Sequence, residues 1–214
     1  MDFTPTERDS FYRLVAERRD MRHFTPGAQV APEVLQRLLT AARQAPSVGM
    51  MEPTRFIRIT NAALREQLYA HVQAERQRTA ETMGERREAF LQLRVEGIRE
   101  AAELLVAVLA PDDGTVFGRR TLPQEMALAS LACAIQNLWL AARVENLGLG
   151  WVSFFDPQVV GDLLRVPAGA RPMAMLCVGP VPDFYSKPML EKTGWRQRAD
   201  RPLCYDNAWP ADAP

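Results

Sequence analysis

Apolar positions recur at helical spacing in the first part of the chain and as short unbroken runs further on. Thr4-Pro5 followed by Phe11, Leu14 and Val15 predicts a capped helix reaching about Arg18. Pro26-Gly27 breaks it, and Pro32 opens a second helix with Val34, Leu35, Leu38, Leu39 and Ala42 on one face before Pro46 ends it. Phe56-Ile57-Arg58-Ile59 is aromatic and β-branched and reads as a strand. Residues 61–103 are charged and helix-favouring, with breaks expected at Gly84 and Gly97. Their middle, 75–87, is almost wholly polar: a solvated helix or a lid. Residues 104–109 form a buried strand ended by Pro111-Asp112-Asp113-Gly114, and a long apolar helix spans about 124–145. A strand at Trp151-Val152-Ser153-Phe154-Phe155, a short helix opened by Pro157 and a strand at 173–178 complete the core. Four strands among helices without regular βαβ spacing predict an α+β layer fold. It forms a single domain over 1–214 with an extended arm from about 181.

Composition narrows the function classes. Acidic and basic side chains number 26 each among 214 residues, so nothing marks a nucleic-acid binder. The N-terminus lacks a signal-peptide core, and polar residues interrupt the longest apolar stretch, 126–142. A cytoplasmic protein without a membrane span is the expectation. Cys133, Cys177 and Cys204 are scattered and odd in number, which reads as reduced thiols. Two histidines, His23 and His71, sit beside no soft ligand at zinc-like spacing, so no metal is expected.

Three guanidiniums within Arg18-Arg19-Asp20-Met21-Arg22 form a donor set suited to phosphate or carboxylate oxygens. They equally suit the negative end of the first helix. Asp20 among them reads as an ion-pair partner, which would depress its pKa. Ala45-Pro46-Ser47-Val48-Gly49 is a loop of small residues where a ligand could approach closely, or simply a tight connection. Gly148-Leu149-Gly150 lacks the third glycine of a dinucleotide turn and precedes its predicted strand, so that reading is rejected. Ser153 has no nucleophile frame around it. Gly194-Trp195-Arg196-Gln197-Arg198 is a second basic, aromatic cluster, and the two clusters suggest that both ends of the chain converge on one anion.

Taken in order, these strings, with Gly118-Arg119-Arg120-Thr121-Leu122-Pro123, Gln136-Asn137-Leu138-Trp139 and Gly150-Trp151-Val152-Ser153, resemble the nitroreductase-fold flavoproteins. Within that family they are similar to the subgroup that fragments reduced FMN with O2 to form 5,6-dimethylbenzimidazole. The resemblance spans about residues 11–209. It implies a mostly antiparallel sheet flanked by helices in an intertwined homodimer, with FMN at each of two subunit interfaces. It further implies that Asp20 and Ser153 are catalytic, and that Arg18, Arg19, Met21 and Arg22 contact the flavin. Arg196 and Arg198 would complete the phosphate site, Ser47 would line the pocket, and Arg94 would lie on the segment that covers it. The electrons would come from NAD(P)H or a separate flavin reductase. The chief alternative in the same fold is an NAD(P)H-dependent nitro- or quinone reductase; a flavin-storage dimer is another. One departure is visible: Glu52-Pro53-Thr54 stands where the family usually has Gln-Pro-Trp.

Overall fold

The computed structural model describes residues 2–199, 203–204 and 206–208; the remainder of the predicted arm, including Trp209, lies outside the described residues. Helix α1 (Pro5–Glu17) starts at a reciprocal cap, in which Thr4 accepts from the Glu7 N–H and the Glu7 carboxylate takes the Thr4 N–H at 2.8 Å. No residue of α1 is buried, and Phe11 and Tyr12 stay 53% and 68% exposed. Helix α2 (Pro32–Arg43) has its proline in the first turn. Strand β1 (Thr54–Arg58) leads to α3 (Ala62–Glu81), whose first turn is capped by Asn61. Then follow the short α4 (Arg87–Gln92), β2 (Glu103–Leu109), α5 (Pro123–Val144) and β3 (Gly148–Val152). Helix α6 (Pro157–Leu164), β4 (Arg171–Gly179) and a final turn, α7 (Met189–Lys192), complete the described chain.

The four strands form one antiparallel sheet in the order β1-β2-β4-β3. The central pair, β2 and β4, is apolar along nearly its whole length because both faces are covered. Leu105, Ala107, Ala174 and Leu176 face α2 and α5, while Leu104, Val106, Met175 and Cys177 face α3 and α6. This period-two division explains why unbroken apolar runs encode these strands. Among the described residues α5 is the one helix long and apolar enough to cross a membrane. In this fold it is a core element, with Leu131, Ile135 and Leu138 fully buried.

The polar stretch after α3 is tied down rather than free. The Arg76 guanidinium donates to the Leu91 and Leu93 carbonyls and folds α4 back onto α3. Phe90 of α4 then packs on Phe154 at 5.8 Å and on Trp195 at 6.0 Å between ring centroids. One small cluster therefore links α4, the end of β3 and the C-terminal arm.

The strand expected at 151–155 lies three residues earlier, at Gly148–Val152, so the two glycines are inside it. Their reason is contact. A Cβ on Gly150 would sit 2.1 Å from the Met21 carbonyl oxygen, and one on Gly148 would sit 2.4 Å from Val181 Cγ1. Only glycine lets the segment after α1 lie flush against this strand.

Candidate functional site

Helix α1 ends where Arg18 turns to extended backbone, and the next residues run alongside β3. Asp20 bridges in parallel to Leu149, and the Met21 N–H donates to the Leu149 carbonyl at 2.9 Å. The Asp20 side chain faces the following pleat. The Trp151 N–H donates to Oδ1 at 2.9 Å, and Arg22 Nη2 donates to Oδ2 at 2.6 Å. The same Nη2 also donates to the Trp151 carbonyl at 2.8 Å, which closes a small ring of bonds around the carboxylate. Arg22 is buried, 7% exposed. Asp20 keeps 42% of its side chain exposed, with protein packed around the rest.

Ion pairing alone would depress the Asp20 pKa, and the structure reverses that expectation. Burial is the largest influence and pushes the carboxyl up; Arg22, the Trp151 N–H and Arg18 oppose it without winning. A partly exposed carboxyl with a raised pKa can take up and return a proton closer to neutrality than an ordinary aspartate.

The arginines differ in occupation. Arg19 behaves as the helix-end reading anticipates: its Nη1 donates to the Ala16 and Arg18 carbonyls at 2.6 and 2.8 Å. Arg18 lies over the Trp139 ring at 4.5 Å, and burial, then Arg19 against Asp20, lowers its pKa. Arg22 Nε, Arg22 Nη1 and Arg19 Nε are buried without hydrogen-bond partners. Buried donors left unsatisfied are costly. Donors of this kind on the segment that carries Asp20 suit a planar, acceptor-rich, anionic ligand.

Ser153 follows the end of β3, two residues beyond Trp151, so it lies about 7 Å further along the chain. It is exposed, and the Phe155 N–H donates to its carbonyl. Arg94 pairs with Glu100 at 2.7 Å, and both act electrostatically on His23, next to Arg22. Arg196 and Arg198 are exposed beyond α7, and among the described residues no ion pair joins them to the Arg18–Arg22 segment.

Ser47 sits apart. Its hydroxyl accepts from the Glu52 N–H at 2.8 Å, and the next residue's N–H donates to Ser130 Oγ at 3.1 Å. Ser130 and Trp139 are nine residues apart on α5, about 13 Å by helical rise. The Ser47 loop is anchored at the first station, and the Arg18–Arg22 segment at the second, where Trp139 Nε1 donates to the Arg19 carbonyl at 3.2 Å. Ser47, Glu52, Thr54, Arg55 and Phe56 line a cleft of about 340 Å³. The Glu52-Pro53-Thr54 departure thus falls on its wall. Within one chain the cleft and the carboxylate site are separate.

Several contributors escaped the sequence reading: Trp151 as a backbone partner of Asp20, Trp139 under Arg18, Gly150 as the close approach, and Tyr185 behind Arg22. The Gly148-Leu149-Gly150 string was the available signal, since paired glycines in a strand mark a neighbouring backbone.

The chain is 40% identical over 202 residues to 5,6-dimethylbenzimidazole synthase of Rhodobacter capsulatus, covering 92% of this chain and 96% of that protein. It is 40% identical over 205 residues to the protein of the same name from Rhodospirillum rubrum, covering 94% and 96%. Among solved structures it is similar to oxidised iodotyrosine deiodinase bound to FMN and 3-iodo-L-tyrosine, with a TM-score of 0.73, 21% identity, and 92% and 99% of the two chains covered. It is also similar to a BluB-like flavoprotein from Clostridium difficile, with a TM-score of 0.65, 19% identity, and 85% and 96% covered. At such identities these structures speak for the fold. The Nitroreductase family pattern matches residues 15–180, more than half of the sequence, and the chain belongs to the nitroreductase family.

Proposed function

We propose that this chain is an oxygen-dependent oxidoreductase that consumes reduced FMN, releasing 5,6-dimethylbenzimidazole, the lower ligand of cobalamin, and erythrose 4-phosphate. The observation that carries the reading is the Asp20 carboxylate, fixed between the Trp151 N–H and Arg22, whose Nε and Nη1 have no partner. The 40% identity to two proteins named for this synthesis supports the choice of reaction.

The donor set fits FMN, whose phosphate and pyrimidine edge present the acceptors that Arg22 Nε, Arg22 Nη1 and Arg19 Nε lack. Reduced FMN, when bound, supplies the electrons that O2 takes up and is itself the carbon skeleton that is broken. The protein's residues bind, orient and move protons. Arg22 and Arg18 hold negative charge at the mouth. Met21 fixes their spacing against β3 through its N–H. Asp20 acts as general base and proton carrier, its raised pKa suiting both directions of transfer. Ser153 offers a hydroxyl beyond the strand end. Arg196 and Arg198 bring positive charge to the phosphate, and Arg94 lies on the covering segment. Helix α4, pinned by Arg76 and wedged by Phe90, excludes water.

The assembly is a cytoplasmic homodimer without membrane or nucleic-acid partners, with Ser47 of one copy lining the pocket built around Asp20 of the other. The exposed Phe11, Tyr12 and Val15 of α1 and the separation of Ser47 from Asp20 along α5 support it. NAD(P)H or a separate flavin reductase provides the reduced flavin. A hydride-shuttling nitro- or quinone reductase has no use for an extra carboxylate at this position, and the Asp20 carboxylate held by Trp151 and Arg22 disfavours the alternative.

The test is to load the protein anaerobically with chemically reduced FMN, admit air, and separate the small molecules by chromatography. A 5,6-dimethylbenzimidazole peak that scales with protein supports the reading. Recovery of intact oxidised FMN alone, from folded protein, rejects it.

A further inference from the structure

Three consecutive residues of the C-terminal arm grip the segment that carries Asp20. Phe184 lies under the Arg143 guanidinium at 4.0 Å, and Arg143 in turn pairs with Glu17 at the end of α1 at 2.9 Å. The Tyr185 hydroxyl accepts from the Arg22 backbone N–H at 3.2 Å and is hydrogen-bonded to His23 Nδ1. The Ser186 carbonyl accepts from Arg19 Nη2 at 3.2 Å. The opposite side of the segment is held by main chain: the Met21 N–H donates to Leu149, and the Thr25 N–H donates to Pro180, both at 2.9 Å. The Arg22 peptide is therefore the link held by a side-chain hydroxyl, and one oxygen atom maintains it.

We propose that Tyr185 is a positioning residue of the Asp20 site, its hydroxyl fixing the Arg22 peptide so that a docked arm and an aligned Arg22–Asp20 pair form one unit. The proposal rests on the flavin-fragmenting reading of that site. The aim of the Arg22 guanidinium is strict, because Nη2 bonds Asp20 and Trp151 together while Gly150 leaves no room behind it. A shift of its peptide turns the guanidinium off the carboxylate, and small displacements of a reacting group cost rate steeply. The tyrosine hydroxyl has one hydrogen. Its oxygen accepts from the Arg22 N–H and forms a second hydrogen bond with His23 Nδ1, so one hydroxyl ties two neighbouring residues of the segment. The charged groups facing His23 are Arg94 and Glu100 on the loop before β2 and Lys192 on α7, whose ammonium also lies 5.8 Å from the Tyr185 ring. Burial, then Arg94 and Lys192 against Glu100, lowers the His23 pKa and so favours a neutral imidazole beside Tyr185.

The test is Tyr185→Phe in the full chain, which keeps the ring against His23, edge-on at 6.0 Å, and deletes the hydroxyl. Hydrogen exchange of the Arg22 amide is read first, on flavin-free protein. The hydroxyl's loss should speed it about tenfold, the effect of one hydrogen bond. With two histidines in the chain, the His23 titration is easily assigned by NMR, and its midpoint should move when the hydroxyl no longer bonds Nδ1. Benzimidazole formation at saturating reduced FMN should fall about tenfold, with the dissociation constant of oxidised FMN held within about threefold. An Arg22 amide that exchanges as in the parent protein, or a Tyr185→Phe rate equal to the parent at saturating flavin, overturns the proposal. Should the parent protein return only intact FMN, the functional reading fails instead, and the amide exchange alone decides the role of Tyr185.

Discussion

The Trp151 backbone N–H donates to Asp20 Oδ1 at 2.9 Å, so an edge-strand amide that would otherwise face open space is spent on holding one carboxylate. The Arg22 guanidinium closes the arrangement on the other oxygen. Together they make the position of Asp20 a property of strand β3 rather than of a loop.

The raised pKa of Asp20 sets the sign of its contribution to stability. The folded protein binds this proton more tightly than the unfolded chain does. Its stabilising contribution is therefore complete below the unfolded aspartate value, near 3.9, and disappears as pH rises through the higher folded value. Asp20→Asn removes that titration. Denaturant melts of flavin-free protein should show the variant gaining on the parent as pH climbs through the folded value of Asp20 and keeping a constant advantage above it. A parent and variant that track each other at every pH contradict the raised pKa of this group.

Gly150→Ala should uncouple strand and segment. The added carbon would sit 2.1 Å from the Met21 carbonyl oxygen and 2.8 Å from Arg22 Nη1, neither of which can retreat into empty space. Forced overpacking of this kind costs about 1–3 kcal/mol or more. Thermal melts should show that loss, and FMN titration should show weakened binding.

Phe90 is 4% exposed and touches both Phe154 and Trp195. Phe90→Ala removes the wedge between α4, the strand end and the arm, at a cost of about 3 kcal/mol. With water admitted, a larger share of reduced flavin should return as intact FMN after air exposure. An unchanged ratio of benzimidazole to recovered FMN argues against a sealing role for α4.

Cys177 is fully buried in the sheet, and that burial pushes its pKa up to about 12. Native protein treated with iodoacetamide near pH 8 should leave Cys177 unmodified, while urea-unfolded protein should be labelled there. Mass spectrometry of the peptide reads the difference.

The sheet was legible because both faces of β2 and β4 are covered, which writes unbroken apolar runs into the sequence. The cap at Thr4 and the helix-opening prolines were legible from local sequence, whereas the cap at Asn61 emerged only in the structure. The position of β3 was not, because Gly148 and Gly150 are dictated by Met21 and Val181, distant in sequence. The arginine-rich segment was recognisable as a donor set, yet its division of labour was hidden: Arg19 serves the end of α1, whereas Arg22 is buried on Asp20. The direction of the Asp20 shift also depends on burial created by the fold, not on its charged neighbours in the chain.

The central claim is that the Asp20 carboxylate drives the breakdown of reduced flavin. The most direct measurement is a single turnover of parent and Asp20→Asn, each saturated anaerobically with reduced FMN, exposed to air and resolved for benzimidazole and FMN. The parent should yield benzimidazole, and the variant should return FMN with benzimidazole reduced by about a hundredfold or more. Equal benzimidazole from an Asp20→Asn protein with flavin bound contradicts the claim.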